Sequence, residues 1–276
     1  MREIDVRHLG NERVICCWQV ADVLIDPGPE STVSTLMDEI EDRAPRAVLL
    51  THVHLDHAGA TGALVRAFPD VRVYVHELGA PHLVDPSKLR HSASRLYGEE
   101  NMERLWGDVV PVPEDNVRLL RGGETVEGFR VAYAPGHASH HVAYLHEESG
   151  RAFVGDVAGV RIPPADYTVA PTPPPDIDLE AWRASLETVA AWDPADLALT
   201  HFGLVEEVAP QLDAVRAWLE RWSPRARDED EARFVDELVG EIGSHADAET
   251  AAAYEQAAPP EQMFLGLERY WRKREE

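Results

Sequence analysis

The sequence predicts an α/β fold over residues 1–203 and a helical region over residues 204–276. In the first region, short runs of apolar and β-branched residues alternate with segments of helical periodicity, as is typical of α/β proteins. After His201 the apolar residues recur at steps of three and four, which is the spacing of amphipathic helices. A chain of 276 residues is long enough for one large domain with an appended region.

Over residues 1–120 the predicted elements follow one another at short intervals. Strands are predicted at the apolar runs Arg13–Val20, Val23–Ile25, Ala47–Leu50, Val71–Val75 and Val117–Leu120. Helices are predicted from Ser31 to about Asp42, over Gly59–Phe68 and, less regularly, between Glu77 and Gly107. Ser31 is expected to cap the first of these helices, because a serine side chain can accept a hydrogen bond from a free backbone N–H group.

The same alternation continues to residue 199. Strands are predicted at Phe129–Ala134, Val142–Leu145, Ala152–Val154 and Leu197–Leu199, and a helix at Leu179–Trp192. Six prolines lie between Pro163 and Pro175. This segment is expected to be a stiff, irregular loop, because proline lacks the N–H group that a central strand needs.

Residues 204–276 are expected to form helices only. One apolar stripe runs from Val205 to Trp222, and a second lies at Phe234–Ile242 after the acidic break Asp228–Glu231. A last helix is predicted over Glu261–Arg272. We expect this region to form a lid over a site or the surface of a homodimer, without supplying metal ligands.

The charge balance disfavours polyanionic partners. Asp and Glu number 50 against 26 Lys and Arg, a formal net charge of −24, which repels nucleic acid and anionic membrane surfaces. No apolar run approaches the roughly 20 residues of a membrane-spanning helix, and the first residues do not resemble a signal peptide. We therefore expect a cytoplasmic protein that acts on a small molecule. Adaptation to salt is another explanation of the acidic excess, and composition does not separate the two.

The cysteines support a reducing compartment. Cys16 and Cys17 are adjacent, and a disulfide between neighbouring residues needs strained geometry. Two reduced thiols are the expected state. A redox pair or a soft metal site is the alternative, but the sequence has no second cysteine pair to complete it.

The strongest chemical signal is the run THVHLDH at residues 51–57. It directly follows a predicted buried strand, at the carboxyl end where open α/β sheets place their ligands. Three imidazoles and a carboxylate are costly in a packed core, whereas as neutral nitrogens and an anionic oxygen they suit zinc. A solvated histidine-rich loop is the alternative. We interpret His52, His54, Asp56 and His57 as metal ligands.

Three later segments each present a further ligand directly after an apolar strand. They are His137 in the sequence PGH, Asp156 in GD and His201 in TH. A single histidine or aspartate at the end of a strand is often structural. Three of them in the same context, downstream of the histidine cluster, indicate one shared site.

With these motifs the chain resembles the metallo-β-lactamase-fold hydrolase superfamily, nearest to its glyoxalase II-like and lactonase-like branch. The resemblance covers roughly residues 1–203. It rests on LIDPG at 24–28, THVHLDH at 51–57, PGH at 135–137, GD at 155–156 and His201. It implies a four-layer αβ/βα sandwich, in which two mixed sheets lie face to face with helices outside.

The resemblance also implies two metal ions, zinc by preference and iron or manganese as alternatives. One ion would take His52, His54 and His137, the other Asp56, His57 and His201, and Asp156 would bridge them. A hydroxide between the ions would then attack the carbonyl of a carboxylic ester, thioester or lactone, and the ions would stabilise the resulting oxyanion. Asp56 is also the candidate catalytic residue, because its carboxylate can orient the nucleophile or carry its proton.

Candidate substrate contacts are Tyr97, Tyr167 and His141. A tyrosine hydroxyl in a pocket can bind a carbonyl oxygen or a leaving group, with half-buried packing as the alternative. His141 is grouped with them, although it resembles a glyoxalase II histidine that lies behind the ligands. Asp26 can fix the tautomer of a ligand imidazole; a plain turn residue before Pro27 is the equally weighted alternative.

The sequence leaves alternative functions open. An iron-dependent oxidoreductase similar to persulfide dioxygenases is one, because its ligands overlap with those named above. A binding protein with an inactive site is disfavoured, since every ligand position is filled. A glutathione substrate is also disfavoured, because a chain with two lysines shows no obvious basic cluster to hold it.

Overall fold

The computed structural model describes residues 1–275 and contains two six-stranded mixed β-sheets. The first sheet holds β1 to β6 in chain order, at Arg2–Asp5, Cys16–Val20, Val23–Ile25, Ala47–Leu49, Arg72–His76 and Val117–Leu120. β1, β2 and β3 are antiparallel neighbours, whereas β3 to β6 run parallel. β4 is fully buried, as its wholly apolar sequence predicts.

The second sheet also follows chain order. It holds β7 to β12, at Thr125–Val126, Phe129–Tyr133, Val142–His146, Arg151–Phe153, Asp196–Leu199 and Gly203–Val205. β10 and β11 are parallel, and the remaining neighbours are antiparallel. Because β12 pairs with β11, this sheet extends to Val205, past the predicted end of the α/β region.

The two sheets pack face to face and are joined near the ends of their strands. Trp18 of the first sheet lies edge-on to Phe153 of the second, with ring centroids 5.7 Å apart. The Trp18 indole donates to the carbonyl of Leu199 at 3.0 Å, and the Tyr144 hydroxyl donates to the carbonyl of Leu50 at 2.7 Å. These bonds join β2 to the end of β11, and β9 to the residue that follows β4.

Helices cover the sheets, which completes an αβ/βα sandwich. Over residues 1–200 they are α1 to α7, at Val33–Glu39, Leu55–Ala58, Thr61–Ala67, Ala80–Val84, Ser87–Tyr97, Glu99–Trp106 and Leu179–Ala191. Asp178 caps α7 by accepting from the N–H of Ala181. The predicted cap at Ser31 is wrong, because its hydroxyl donates to the carbonyl of Leu105 at 2.8 Å and α1 has no side-chain cap.

The described chain after Val205 is helical. It forms α8 to α11, at Val208–Asp228, Glu231–His245, Ala248–Ala257 and Pro260–Glu275. Asp230 caps α9 by accepting from the N–H of Arg233 at 2.9 Å, so the predicted acidic break is a helix junction. Trp222 and Phe234 are buried in the same hydrophobic core as the sandwich. None of the helices within residues 1–275 combines the length and apolarity that a membrane span requires.

Sequence patterns do not reveal β1, β7, β12 or α10. These three strands are short and partly exposed, so they carry little periodic signal. The sequence of α10, AETAAAYEQA, has high helix propensity but a weak apolar stripe. Local periodicity therefore identifies the central elements of this fold better than its edges.

Candidate metal centre

Four of the predicted ligands leave the first sheet in one short segment after β4. His52 and His54 lie before α2, and Asp56 and His57 lie within α2. His52 and His57 are completely buried, whereas His54 and Asp56 face a cavity. The short segment from the strand into the helix therefore places these four side chains around one point.

The other three predicted ligands follow strands of the second sheet. His137 comes after β8, His201 after β11, and Asp156 lies in the short 3-10 helix Gly155–Ala158 after β10. Gly155 has a φ of +47°, and a Cβ atom there would lie 2.5 Å from the hydroxyl oxygen of Thr51. Only glycine lets Asp156 come this close to the histidine segment. All seven predicted ligands thus meet where the two sheets join.

Three imidazoles form the first cluster. Nδ1 of His54 lies 2.9 Å from Nε2 of His52 and 3.0 Å from Nε2 of His137. Oδ2 of Asp156 lies 3.2 Å from the same nitrogen of His137. The three histidines offer ligand atoms within 4.8 Å of one another, a spacing that one cation can bridge.

The second cluster combines imidazoles with a carboxylate. Oδ2 of Asp56 lies 3.3 Å from Nε2 of His201 and 3.7 Å from Nε2 of His57. Oδ1 of Asp156 lies 3.3 Å from His57 and 3.6 Å from His201 at the same atoms. One oxygen of Asp156 therefore faces each cluster, which is the arrangement that a bridging ligand needs.

Hydrogen bonds to the outer nitrogens fix how the rings face the centre. Nδ1 of His201 lies 2.7 Å from the carbonyl of Val14, and Nδ1 of His137 lies 2.9 Å from the carbonyl of Pro171. A carbonyl only accepts, so each Nδ1 carries the proton and donates it. In the neutral ring Nε2 is then unprotonated and directed to the centre, as a metal ligand requires.

Asp26 is completely buried and ties three segments together. Its Oδ1 accepts from the N–H of Thr51 at 2.8 Å. Its Oδ2 accepts from the hydroxyls of Thr51 and Thr200 at 2.7 and 2.9 Å, and lies 2.8 Å from Nδ1 of His57. Of the two interpretations of Asp26, the structure favours the one in which it fixes a ligand imidazole.

Electrostatics divide the centre into two halves. Burial, followed by the neighbouring imidazoles, holds the pKa of His52 well below its usual value and lowers the pKa of His54 to about 4. Burial also acts on His57, but the carboxylates of Asp156 and Asp56 outweigh it and raise the pKa of that ring. One half is therefore neutral, and the other carries strong negative potential.

Three buried atoms of this centre have no hydrogen-bond partner: Nε2 of His57, Nε2 of His201 and Oδ1 of Asp156. Each such atom costs about 1–3 kcal/mol when unpaired. They are electron-pair donors directed at one point, next to buried carboxylates that need positive charge. The residues therefore fit transition metal ions, and a set of histidine and aspartate ligands suits zinc, iron or manganese.

A cavity of about 470 Å³ opens over the centre. We call His54, Asp56 and Asp156 its floor. We call the lining residues of segments 78–106, 171–176 and 256–263 its wall. The C-terminal region supplies the last of these segments, so it shapes the cavity while the predicted ligands all come from residues 52–201.

The two tyrosines differ in their placement. Tyr97 lines the cavity, but its hydroxyl donates to Oε1 of Gln262 at 3.0 Å and its ring packs edge-on to Trp106 at 5.0 Å. Tyr167 lies outside the cavity lining, and its hydroxyl donates to Oε1 of Glu241 at 2.7 Å. The structure does not bring Tyr167 to this cavity, because prolines of its loop face the cavity instead. Its contact with a substrate stays a prediction.

His141 is completely buried and lies outside the cavity lining, so the structure does not bring it together with the residues that line the cavity. Its Nε2 accepts from the backbone N–H of Asp156 at 3.3 Å, and its ring stacks on His52 at 4.9 Å. It supports ligands from behind, as the resemblance implies. His140 and His8 line the cavity instead, and only the histidine-rich run HASHH at 137–141 pointed toward the first of them.

The comparison with known families agrees with this geometry. Residues 21–201 match the family model of the metallo-beta-lactamase superfamily. The chain belongs to this superfamily. The matched segment begins before Asp26 and ends at His201, so it contains every predicted ligand.

Similar proteins share the fold over most of the chain. A metallo-beta-lactamase fold-containing protein of Sulfurisphaera tokodaii is 28% identical over 201 residues, 69% of this chain and 72% of that protein. The solved structure of an archaeal superfamily member from Sulfolobus tokodaii has a TM-score of 0.69 and is 21% identical, over 96% of this chain and 97% of that one. That likeness shows that the C-terminal helices accompany the sandwich in another member.

A hydrolase is among the similar proteins. The hydroxyacylglutathione hydrolase GloC of Haemophilus influenzae is 32% identical over 136 residues, which span 49% of this chain and 59% of that protein. The match thus covers less than two thirds of the relative. A solved structure described as TTHA1623 in a di-iron-bound form is 30% identical with a TM-score of 0.54, over 75% of this chain and 92% of that one.

Proposed function

We propose that this chain is a metal-dependent hydrolase that holds two transition metal ions, zinc by preference, and cleaves a carboxylic ester, thioester or lactone. The observation that carries the proposal is that the seven predicted ligands meet at one point. Three of their buried atoms lack hydrogen-bond partners there. One ion would be held by His52, His54 and His137, the other by Asp56, His57 and His201, with Asp156 between them. Metal ions bound there lower the pKa of water and stabilise negative charge on a carbonyl oxygen under attack.

The protein's own groups have separate tasks in this proposal. Asp56 faces the cavity, and its carboxylate can accept the proton of the attacking water and return it to the leaving group. Asp156 lies deeper, with a side chain that is 5% exposed, and keeps the two clusters together. Asp26, through His57, holds the second cluster in place.

Metal content and hydrolysis measured on one preparation test the proposal. After reconstitution with zinc, we expect about two ions per chain by elemental analysis, as in two-metal hydrolytic sites. Hydrolysis of a panel of esters, thioesters and lactones should disappear on chelation and return with zinc. In Asp56→Asn, which keeps the size and one ligand oxygen, turnover should fall further than metal content.

The competing function predicts a different result. A persulfide dioxygenase would retain at most one ion per chain, with iron dominant, and would consume oxygen when given a persulfide. That combination, without hydrolysis of the panel, would replace our proposal. The relatives named as hydroxyacylglutathione hydrolases favour hydrolysis. A homodimer and a cytoplasmic location stay predictions from the sequence, to be tested by sedimentation and by fractionation.

A further inference from the structure

The wall of the cavity is mostly apolar. The helical segment contributes Leu89, Ala93, Leu96 and Trp106, the proline-rich loop contributes four prolines, and the C-terminal segment contributes Ala257, Ala258 and Met263. The Tyr97 hydroxyl is paired within the wall, because it donates a hydrogen bond to Gln262. A volume of about 470 Å³ lies within the range of small-molecule sites. Burial of an apolar chain is therefore the interaction that this wall offers.

The charges around the same cavity are unsuited to an anionic substrate. Among the described lining residues, Lys88 is the one permanent cation, and its side chain is exposed. Asp56, Asp156 and Asp176 are the acidic residues of the lining, and Asp176 accepts from the Ser139 hydroxyl at 2.6 Å. Asp56 and Asp156 are metal ligands in the proposed function, so bound ions would balance their charge. Away from the ions, a substrate carrying carboxylates would meet the carboxylate of Asp176, and the described lining residues offer no cluster of cationic side chains to hold it.

From these two observations we propose that the substrate is an uncharged ester or thioester with an apolar acyl chain, which the wall buries while the acyl carbon lies at the floor. The inference rests on the proposed function. It departs from the glutathione thioester that the names of several relatives indicate, because glutathione carries two carboxylates. Hydrolysis would add one water across the acyl bond and release a carboxylic acid and an uncharged thiol or alcohol.

Binding of non-hydrolysable ligands tests the charge preference without relying on turnover. Titration calorimetry on the zinc-reconstituted protein would compare S-hexylglutathione with S-hexyl-N-acetylcysteamine, which share the S-hexyl chain; the first adds the charged ends of the tripeptide. We expect at least about tenfold tighter binding of the uncharged ligand, the size of one good interaction. Equal binding, or tighter binding of the glutathione ligand, would overturn the inference and leave the hydrolase proposal standing.

Chain length tests the burial itself. In S-acyl-N-acetylcysteamine thioesters of two to eight acyl carbons, kcat/KM should rise up to about fourfold per methylene, as transfer of a methylene from water implies. A flat or falling series would contradict burial in the wall. If no thioester is hydrolysed while the uncharged S-hexyl ligand still binds more tightly, the proposed function fails and the ligand preference stands.

A substitution that fills part of the cavity tests whether the wall limits the length of the acyl chain. Ala93→Leu adds bulk to α5 inside the cavity and should abolish the gain from the longest chains, with the acetyl thioester changed less than about threefold. Ala184→Leu makes the same exchange at an exposed site of α7 and should leave the series unchanged. If Ala93→Leu does not fold, Ala257→Leu at the end of α10 makes the same test. An unchanged series in both folded wall variants would overturn the inference.

Discussion

The floor and the wall of the cavity are built on opposite principles. At the floor and the ligands behind it, ring nitrogens and carboxylates are held by short hydrogen bonds, such as that from His201 to Val14 at 2.7 Å. The wall holds its shape by packing, with Tyr97 against Trp106 and one hydrogen bond to Gln262. Its segments, at 78–106, 171–176 and 256–263, lie far apart in the sequence.

This contrast assigns the chemistry of the reaction to the floor and the selection of the substrate to the wall. Directional bonds place charge to within a few tenths of an ångström, which suits metal ions and proton transfer. Apolar packing is less directional and tolerates exchange of side chains of similar volume. Substitutions at the floor should therefore act on metal content and kcat, whereas substitutions in the wall should act on KM and substrate range.

The largest effect is expected at Asp156, which faces both clusters. Asp156→Ala removes an anion shared between two cations in a poorly solvated site, where their repulsion is large. We expect loss of one or both ions and a fall in kcat of at least about a hundredfold. Asp22→Ala, at a half-exposed side chain paired with Arg46, is the control and should change neither. Two ions and near-normal turnover in Asp156→Ala would refute the bridging role.

A smaller effect is expected behind the floor, at Asp26. Asp26→Asn keeps the shape but removes the charge that holds the Nδ1 proton of His57. Loss of such a supporting carboxylate weakens metal binding by about 10–100-fold. Competition with a zinc chelator measures this directly, because it does not depend on turnover. If Asp26→Asn held zinc as tightly as the wild type, Asp26 would be a structural turn residue after all.

The floor could be anticipated from the sequence because its signals are local. THVHLDH places four ligands within seven residues, and the other three each follow a recognisable strand. The bonds that fix the ligands were harder to foresee. The sequence allows two interpretations of Asp26, and the backbone carbonyls of Val14 and Pro171 carry no side-chain signature.

The wall could not be anticipated in the same way, because its residues share no motif. Tyr97 and Gln262 are 165 positions apart and meet only in the folded chain. Tyr167 lies in the proline-rich loop, and an irregular loop has no periodicity that would reveal the direction of a side chain. His8 reaches the cavity through contacts with Leu105 and Gln256.

The packing of α11 against the proline-rich loop of the wall can be tested at Gly266. A Cβ atom there would lie 1.9 Å from the carbonyl oxygen of Thr172, so the helix packs directly on the proline-rich loop. Gly266→Ala should lower the free energy of unfolding by about 1–3 kcal/mol, the cost of overpacking, and raise KM. Metal content should stay near that of the wild type.

Gly240→Ala is the matched control, because no atom lies within 4 Å of a Cβ placed there in α9. It should stabilise the protein by about 0.5–1 kcal/mol, since alanine favours an exposed helix interior more than glycine does. Chemical denaturation of both variants measures the difference. If Gly266→Ala had a higher free energy of unfolding than the wild type, the loop and α11 would be able to move apart at little cost.

A weaker effect is expected from Tyr97→Phe. The variant keeps the ring against Trp106 and loses the hydrogen bond to Gln262, worth about 0.5–1.5 kcal/mol. We expect KM to rise at most about tenfold, with kcat and metal content unchanged. Tyr270→Phe, whose hydroxyl donates to Glu180, is the control and should leave KM unchanged. A fall in kcat alone in Tyr97→Phe would assign Tyr97 to the chemistry of the floor.

The smallest effect concerns His8, where the wall meets the N-terminal segment. Nε2 of His8 donates to Leu105 at 2.7 Å, and Nδ1 accepts from Gln256 at 3.1 Å, so the ring is neutral. Burial lowers the pKa of His8, and the bond to Leu105 opposes this only in part. The pKa of this residue in the unfolded chain is about 6.5. As pH falls through that value, the unfolded chain therefore binds a proton at His8 before the folded chain does.

It follows that the stability His8 provides is lost as pH falls below the unfolded pKa. The melting temperature of the wild type should exceed that of His8→Gln at about pH 7.5, and the gap should narrow by about pH 5.5. Taking the difference between the two proteins removes the contribution of the other titrating histidines. A gap that stays constant over this range would show that His8 is protonated equally in the folded and unfolded states, which is incompatible with its bond to Gln256.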